Sequence, residues 1–114
     1  EPLTFLVKLK QTFHCGIIRH TNLPDKPIKT VAFCGGSGSF LLPNAIQQKA
    51  DIFITGDYKY HDFFDADNQI VIADIGHFES EQFTTNLIVS LLTEKFTKFA
   101  VHNTRVITNP INYF

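Results

Sequence analysis

The sequence predicts an α/β fold built on a mostly parallel, mixed sheet, and three observations carry that prediction. Short apolar runs alternate with helix-like segments along the chain. The runs at 31–34, 52–55 and 70–73 are continuous, not alternating, which marks strands covered on both faces. Each run is followed at once by a polar or glycine-rich turn.

The elements follow in order. Residues 3–13 carry Leu3, Leu6, Val7, Leu9 and Phe13 at near-helical spacing, with Lys8, Lys10 and Gln11 between them. Residues 16–20 read as a short strand with β-branched Ile17 and Ile18. The segment 21–29, with Pro24, Asp25 and Pro27, reads as a turn. Residues 40–49 are helix-like, with Pro43 near the first turn. Residues 58–67 are helix-like again. Residues 80–95 form the longest predicted helix, with Thr84, Leu87, Ile88, Leu91 and Leu92 as one apolar stripe. A last strand is predicted at 99–101. The strand at 16–20, joined to the next by a proline turn, is expected antiparallel at a sheet edge.

The bulk properties bound the answer. A chain of 114 residues is expected to form a single domain, 1–114. Area scaling gives a folded surface of roughly 6,300 Å² from an unfolded one of roughly 18,900 Å², enough burial for one core. Ten Lys and Arg against eleven Asp and Glu leave a net charge of −1, which gives no support to a nucleic-acid partner. No apolar run reaches the ~18 residues of a membrane span. Cys15 and Cys34 have no CxxC spacing and read as free buried thiols in a reducing compartment, so a cytoplasmic location is expected. Glu1-Pro2 does not open a signal peptide. The chain starts without Met, contains none, and uses 12 Phe against no Trp, which suggests a piece of a longer protein.

If the three runs are parallel strands, their turns share one rim of the sheet, where open α/β folds bind ligands. His77 and Glu81, four apart, share a helix face and can grip one divalent ion. The same spacing also suits an ordinary i,i+4 contact. Glu79 is a competitor whose spacing of two points it elsewhere. His61, near Asp57 and Asp62, could be a general acid or base, or a half-buried histidine donating to a carboxylate. Asp57 could simply cap the following helix. Gly35-Gly36-Ser37-Gly38-Ser39 could present N–H groups to a phosphate, or be a tight turn. It lacks the P-loop lysine and the third dinucleotide-fold glycine, and Ser39 spoils the serine-hydrolase elbow. His14, His20 and His102 read as surface or edge residues, and Tyr58 and Tyr60 as packing.

The motif set Val31-Ala32-Phe33-Cys34-Gly35-Gly36-Ser37-Gly38-Ser39, Ala50-Asp51-Ile52-Phe53-Ile54-Thr55-Gly56-Asp57-Tyr58-Lys59-Tyr60-His61 and Asp74-Ile75-Gly76-His77-Phe78-Glu79-Ser80-Glu81 resembles the C-terminal half of the NGG-interacting-factor-three-like proteins, the GTP cyclohydrolase 1 type 2 homologues. The resemblance runs over nearly the whole chain, about 3–110. It implies a two-lobed α/β fold, usually a ring-shaped homo-oligomer (a hexamer), with two divalent metal ions between the lobes. It implies that His77 and Glu81 are metal ligands and that His61 lies near the metals. The adjacent histidine pair of the family's N-terminal lobe has no counterpart here, so the chain is expected to be a C-terminal lobe that cannot complete the site alone.

The expected function is therefore the C-terminal part of a metal-dependent, hydrolase-like protein, with the isolated piece inactive. His77 and Glu81 would be its metal ligands, to Zn, Fe or Mn. His61 would be its proton shuttle. Gly35, Gly36, Ser37 and Gly38 would form a phosphate site suited to a nucleotide. A non-catalytic metal- or nucleotide-binding regulator is the alternative. A third reading is a structural domain whose rim motifs only cap helices.

Overall fold

The computed structural model describes residues 1–114. Helix α1 (Pro2–Thr12) leads to the short strand β1 (Arg19–His20) and then to β2 (Val31–Ser37). A 3-10 turn (Ser39–Leu41) runs into α2 (Leu42–Gln47), followed by β3 (Ile52–Gly56). A second 3-10 turn (His61–Ala66) precedes β4 (Val71–Asp74), and α3 (His77–Glu81) and α4 (Thr84–Lys95) close the order.

The four strands form one sheet in the order β1-β4-β3-β2. β2, β3 and β4 are parallel, and β1 lies antiparallel to β4 at the edge, as expected. Its partner is β4, not the strand that follows it in the chain. The central strands β3 and β4 are buried at every residue, which is why their sequences are apolar without alternation.

Side-chain alternation still sorts those residues into two cores. Ile52, Ile54, Val71 and Ala73 point to one face and pack with Leu6 and Leu9 of α1. Phe53 and Ile72 point to the other and pack with Leu42 and Ala45 of α2. Full burial of one such isoleucine or phenylalanine is worth about 1.5–3 kcal/mol, so the paired strands and two flanking helices hold the fold together. Cys15 is buried in the α1 core and Cys34 is half-buried against the α2 core, both as free thiols. His14, His20 and His102 are exposed, in line with the sequence reading.

Several predicted elements take a different form. The helix expected at 40–49 is a 3-10 turn followed by six α-helical residues, with Pro43 in the first turn. The helix expected at 58–67 is reduced to the 3-10 turn His61–Ala66, ended by Asp67 and Asn68 at φ 43° and 54°. Its start is lost because Tyr58 donates its N–H to Asp74 and is itself 2% exposed. The long helix expected at 80–95 is two helices. At the joint, the Gln82 amide donates to the Phe13 carbonyl and Phe83 packs edge-on against Phe13. The stripe on α4 stays exposed at Leu87, Ile88, Leu91 and Leu92, and α4 has no buried residue. Residues 99–101 form no strand, since no strand of this sheet lies beside them. No helix is long and apolar enough to cross a membrane.

Candidate metal half-site

The parallel register brings Ser37, Gly56 and Asp74, the last residues of β2, β3 and β4, to one rim. Helix α3 starts on that rim and lies against the end of β2. Contact this close requires residues without side chains. A Cβ on Gly56 would stand 2.8 Å from the His77 backbone nitrogen. Gly36 has φ +68°, and a Cβ there would stand 2.5 Å from Glu81 Oε1 and 3.2 Å from the His77 ring. The glycine-rich segment thus makes room for the His77–Glu81 face.

Asp57 turns out to be the organiser of that face. It sits at φ 54°, a left-handed conformation that aspartate tolerates better than most residues. That turn aims its carboxylate back over the sheet rim. Its Oδ2 accepts the Ser37 hydroxyl at 2.7 Å and the His77 Nδ1–H at 2.6 Å. The other ring nitrogen of His77, Nε2, lies 3.1 Å from Glu81 Oε2. The hydrogen bond to Asp57, aided by Glu81, raises the His77 pKa above its ordinary value. The Ser37 hydroxyl, then His77, hold Asp57 below the usual carboxylate range.

A buried staple fixes the two loops that carry Asp57 and His77. Asp74 accepts the Tyr58 N–H at 2.9 Å with one oxygen and the Gly76 N–H at 2.9 Å with the other. Arg19 neutralises it through a direct ion pair and also donates to the Tyr58 carbonyl at 2.7 Å. The carboxylate therefore spans both loops at once.

The donor geometry can be tested against an ion. Nitrogen and oxygen ligands at about 2.05 Å from one cation stand about 2.9 Å apart on an octahedral edge and about 3.3 Å on a tetrahedral one. The 3.1 Å between Nε2 and Oε2 falls between them. Asp57 on the far ring nitrogen supplies the outer carboxylate that orients metal-binding histidines. Only two donors converge, however: no three His, Cys, Asp or Glu side chains of this chain meet in a metal-holding group. His77 and Glu81 are about half exposed, on an open face.

The other sequence-predicted residues lie differently. His61 is exposed at the start of its 3-10 turn, where its ring stacks edge-on against Tyr60, and no hydrogen bond or ion pair joins it to His77. Glu79 is buried on the far side of α3 from Glu81, as its spacing requires. Gly35, Gly36 and Ser37 belong to strand β2, not to a free turn. The Gly36 N–H is bonded to Ser80 Oγ at 2.8 Å and the Gly38 N–H to Thr55 Oγ1 at 2.9 Å. A phosphate there would have to displace both. Tyr58 is core packing as predicted, but Tyr60 is 70% exposed. A cavity of about 720 Å³ opens between residues 19–26 and 60–71, and neither His77 nor Glu81 lines it.

Asp57 is the residue that the sequence reading undervalued. A signal was present: a Gly-Asp pair directly after a buried strand, where a carboxylate can take a left-handed turn and point back across the rim.

Fold and site together define an α/β protein that presents an oriented histidine–carboxylate pair on the carboxyl edge of a parallel sheet. Residues 3–110 match the model of the Duf34/NIF3 (NGG1p interacting factor 3) family, and the chain belongs to that family. It is 35% identical over 107 residues to the GTP cyclohydrolase 1 type 2 homolog of Campylobacter jejuni, covering 93% of this chain and 42% of that protein. It is 34% identical over 108 residues to the protein of the same name from Staphylococcus epidermidis, covering 91% and 30%. Among solved structures, a Staphylococcus aureus hypothetical protein superposes with a TM-score of 0.89 at 30% identity, over 97% of this chain and 38% of that one. A Bacillus cereus protein related to NIF3 gives 0.78 at 25% identity, over 97% and 32%. The chain thus spans well under half the length of the relatives it matches.

Proposed function

We propose that this chain is the C-terminal lobe of a longer, divalent-metal-dependent, hydrolase-like protein and supplies one half of its two-metal site. The observation that carries the reading is the His77 Nε2–Glu81 Oε2 pair at 3.1 Å, with Asp57 clamped on Nδ1. His77 and Glu81 would hold an ion, and Asp57 keeps the imidazole in the tautomer that offers Nε2. The mixed N/O set suits Zn, Fe or Mn. When bound, such an ion supplies Lewis acidity and makes a water it holds more acidic. His61, exposed and free of side-chain hydrogen bonds, would move a proton to or from a bound ligand. The names of the relatives support a nucleotide or another heterocycle as substrate.

Metal analysis of the longer protein tests this. His77→Ala with Glu81→Ala should remove at least one of two bound ions per chain. His61→Ala should keep the metal and lose multiple-turnover hydrolysis. Unchanged metal content in the double variant would refute the site. Full metal with no turnover on any nucleotide would replace the hydrolase with a regulator.

A further inference from the structure

Strand β2 alone in this sheet pairs irregularly. Phe33 stands opposite Ile54, yet Ser37 stands opposite Gly56. Four steps along β2 therefore match two along β3, and the two extra residues are taken up in the glycine-rich stretch between them. In an unbroken parallel ladder Gly35 would face Gly56, and Ser37 would lie past the end of β3, level with Tyr58. At about 3.3 Å per residue, the bulge draws Ser37 back along the sheet by about 7 Å. Bulges of this kind re-aim a side chain beside a site.

The bulge is held firmly on both sides of Ser37. Besides the Gly36 and Gly38 N–H groups bonded to Ser80 and Thr55, the fully buried Thr55 hydroxyl donates to the Gly36 carbonyl at 2.9 Å. Ser37 itself is exposed and belongs to neither core. Its one side-chain hydrogen bond goes to Asp57 Oδ2, the same oxygen that accepts the His77 Nδ1–H. A single donor would leave the carboxylate free to turn about its last torsion, which is broad for aspartate. Two donors on one oxygen, one from the end of β2 and one from the start of α3, fix its plane as well as its place.

We propose that Ser37 is a positioning residue of the half-site: delivered by the bulge, its hydroxyl sets the Asp57 carboxylate, and Asp57 holds the His77 ring with Nε2 turned toward Glu81. The inference rests on the reading of His77 and Glu81 as metal ligands. It gives the glycine-rich segment a task other than cradling a phosphate, namely bringing one hydroxyl to the rim. The hydroxyl's part is to donate, which Thr can repeat and Ala cannot. Asp57 is half exposed, so water replaces part of a lost bond and the effect of Ser37 is moderate.

Two readouts on the longer protein test this. In zinc titrations, Ser37→Ala should weaken binding about 3–10-fold, below the ~10–100-fold range for a residue that touches the ligand itself. Ser37→Thr should return affinity to within about twofold of wild type. In an Asp57→Asn background, Ser37→Ala should cost less than about twofold more, because the two residues act in one chain of bonds. The second readout needs no metal. Nitrogen NMR of the metal-free protein, at a pH where the His77 ring is neutral, should show the Nδ1–H form dominant in wild type and Ser37→Thr and a mixture of tautomers in Ser37→Ala. An unchanged tautomer balance in Ser37→Ala overturns the proposal. So does a zinc loss that Ser37→Thr fails to restore, or a loss that adds in full to that of Asp57→Asn. Zinc binding indifferent to His77→Ala with Glu81→Ala would instead sink the metal reading, a result on which the tautomer balance does not depend.

Discussion

Gly36→Ala isolates the geometric demand of the half-site. The residue lies at φ +68°, where an L-residue costs about 1–2 kcal/mol relative to glycine. The new methyl would stand 2.5 Å from Glu81 Oε1 and 3.2 Å from the His77 ring. Glu81 is half exposed and flexible, so it yields by swinging off His77 and does not carry the strain into the core. The stability loss should therefore stay near the backbone term, about 1–2 kcal/mol, a fall in Tm of about 4–8 °C for a domain of this size. Metal affinity of the longer protein should drop about 10–100-fold, the range for disturbing a ligand's support. NMR titration should show the His77 pKa lower than in the wild type but still raised, because Asp57 is its main cause. Calorimetry, metal titration and that titration give three independent readouts. A variant that loses stability but binds metal within about twofold of wild type, under 0.5 kcal/mol, would refute the claim that Gly36 makes room for the ligand pair.

Other expectations follow from the same contacts. Asp57→Asn should weaken metal binding about 10–100-fold with little loss of stability, since an amide cannot hold the His77 Nδ1–H as a carboxylate does; metal titration checks it, and unchanged affinity contradicts it. Asp51 accepts from Lys26 at 2.8 Å and from the N–H groups of Thr30 and Lys29, each at 2.9 Å, which hold its pKa near about 2. Its folded pKa lies below the unfolded value, so its contribution is complete above about pH 4 and disappears as pH falls toward 2. Screening at the exposed Lys26 reduces the full linkage to about 1–2 kcal/mol. Asp51→Asn should thus cost that much at pH 7 and nothing at pH 2 in denaturant melts, and serves as a destabilised control with intact metal binding. Burial, with Glu79 nearby, pushes the Cys15 thiol up to about 11. At pH 8 it should alkylate about a hundred times more slowly in the native chain than after denaturation, and equal rates would mean it is not buried. Asp74→Ala should release the Tyr58 and Gly76 loops, costing about 2–4 kcal/mol as their two N–H groups lose their acceptor, with little added from the half-exposed Arg19; a loss under about 1 kcal/mol in a melt would show that the staple holds nothing.

The residue string by itself determined the three parallel strands β2, β3 and β4 and their common rim, because a continuous apolar run in a short chain has few alternatives to a strand buried on both faces; it did not exclude the strand expected at 99–101, which does not form. It also determined that His77 and Glu81 share a face while Glu79 does not, since helix periodicity is local. Only the tertiary structure decided that Asp57 reaches His77 across 20 residues of sequence. That meeting depends on strand order and on one left-handed turn, neither of which leaves a periodic trace. The tertiary structure likewise divided the long helix at Gln82 and Phe83, where the chain bonds and packs to Phe13. It also left the stripe of Leu87, Ile88, Leu91 and Leu92 exposed. An apolar stripe in a sequence states that a face seeks cover, and only the packed fold tells whether this lobe provides it.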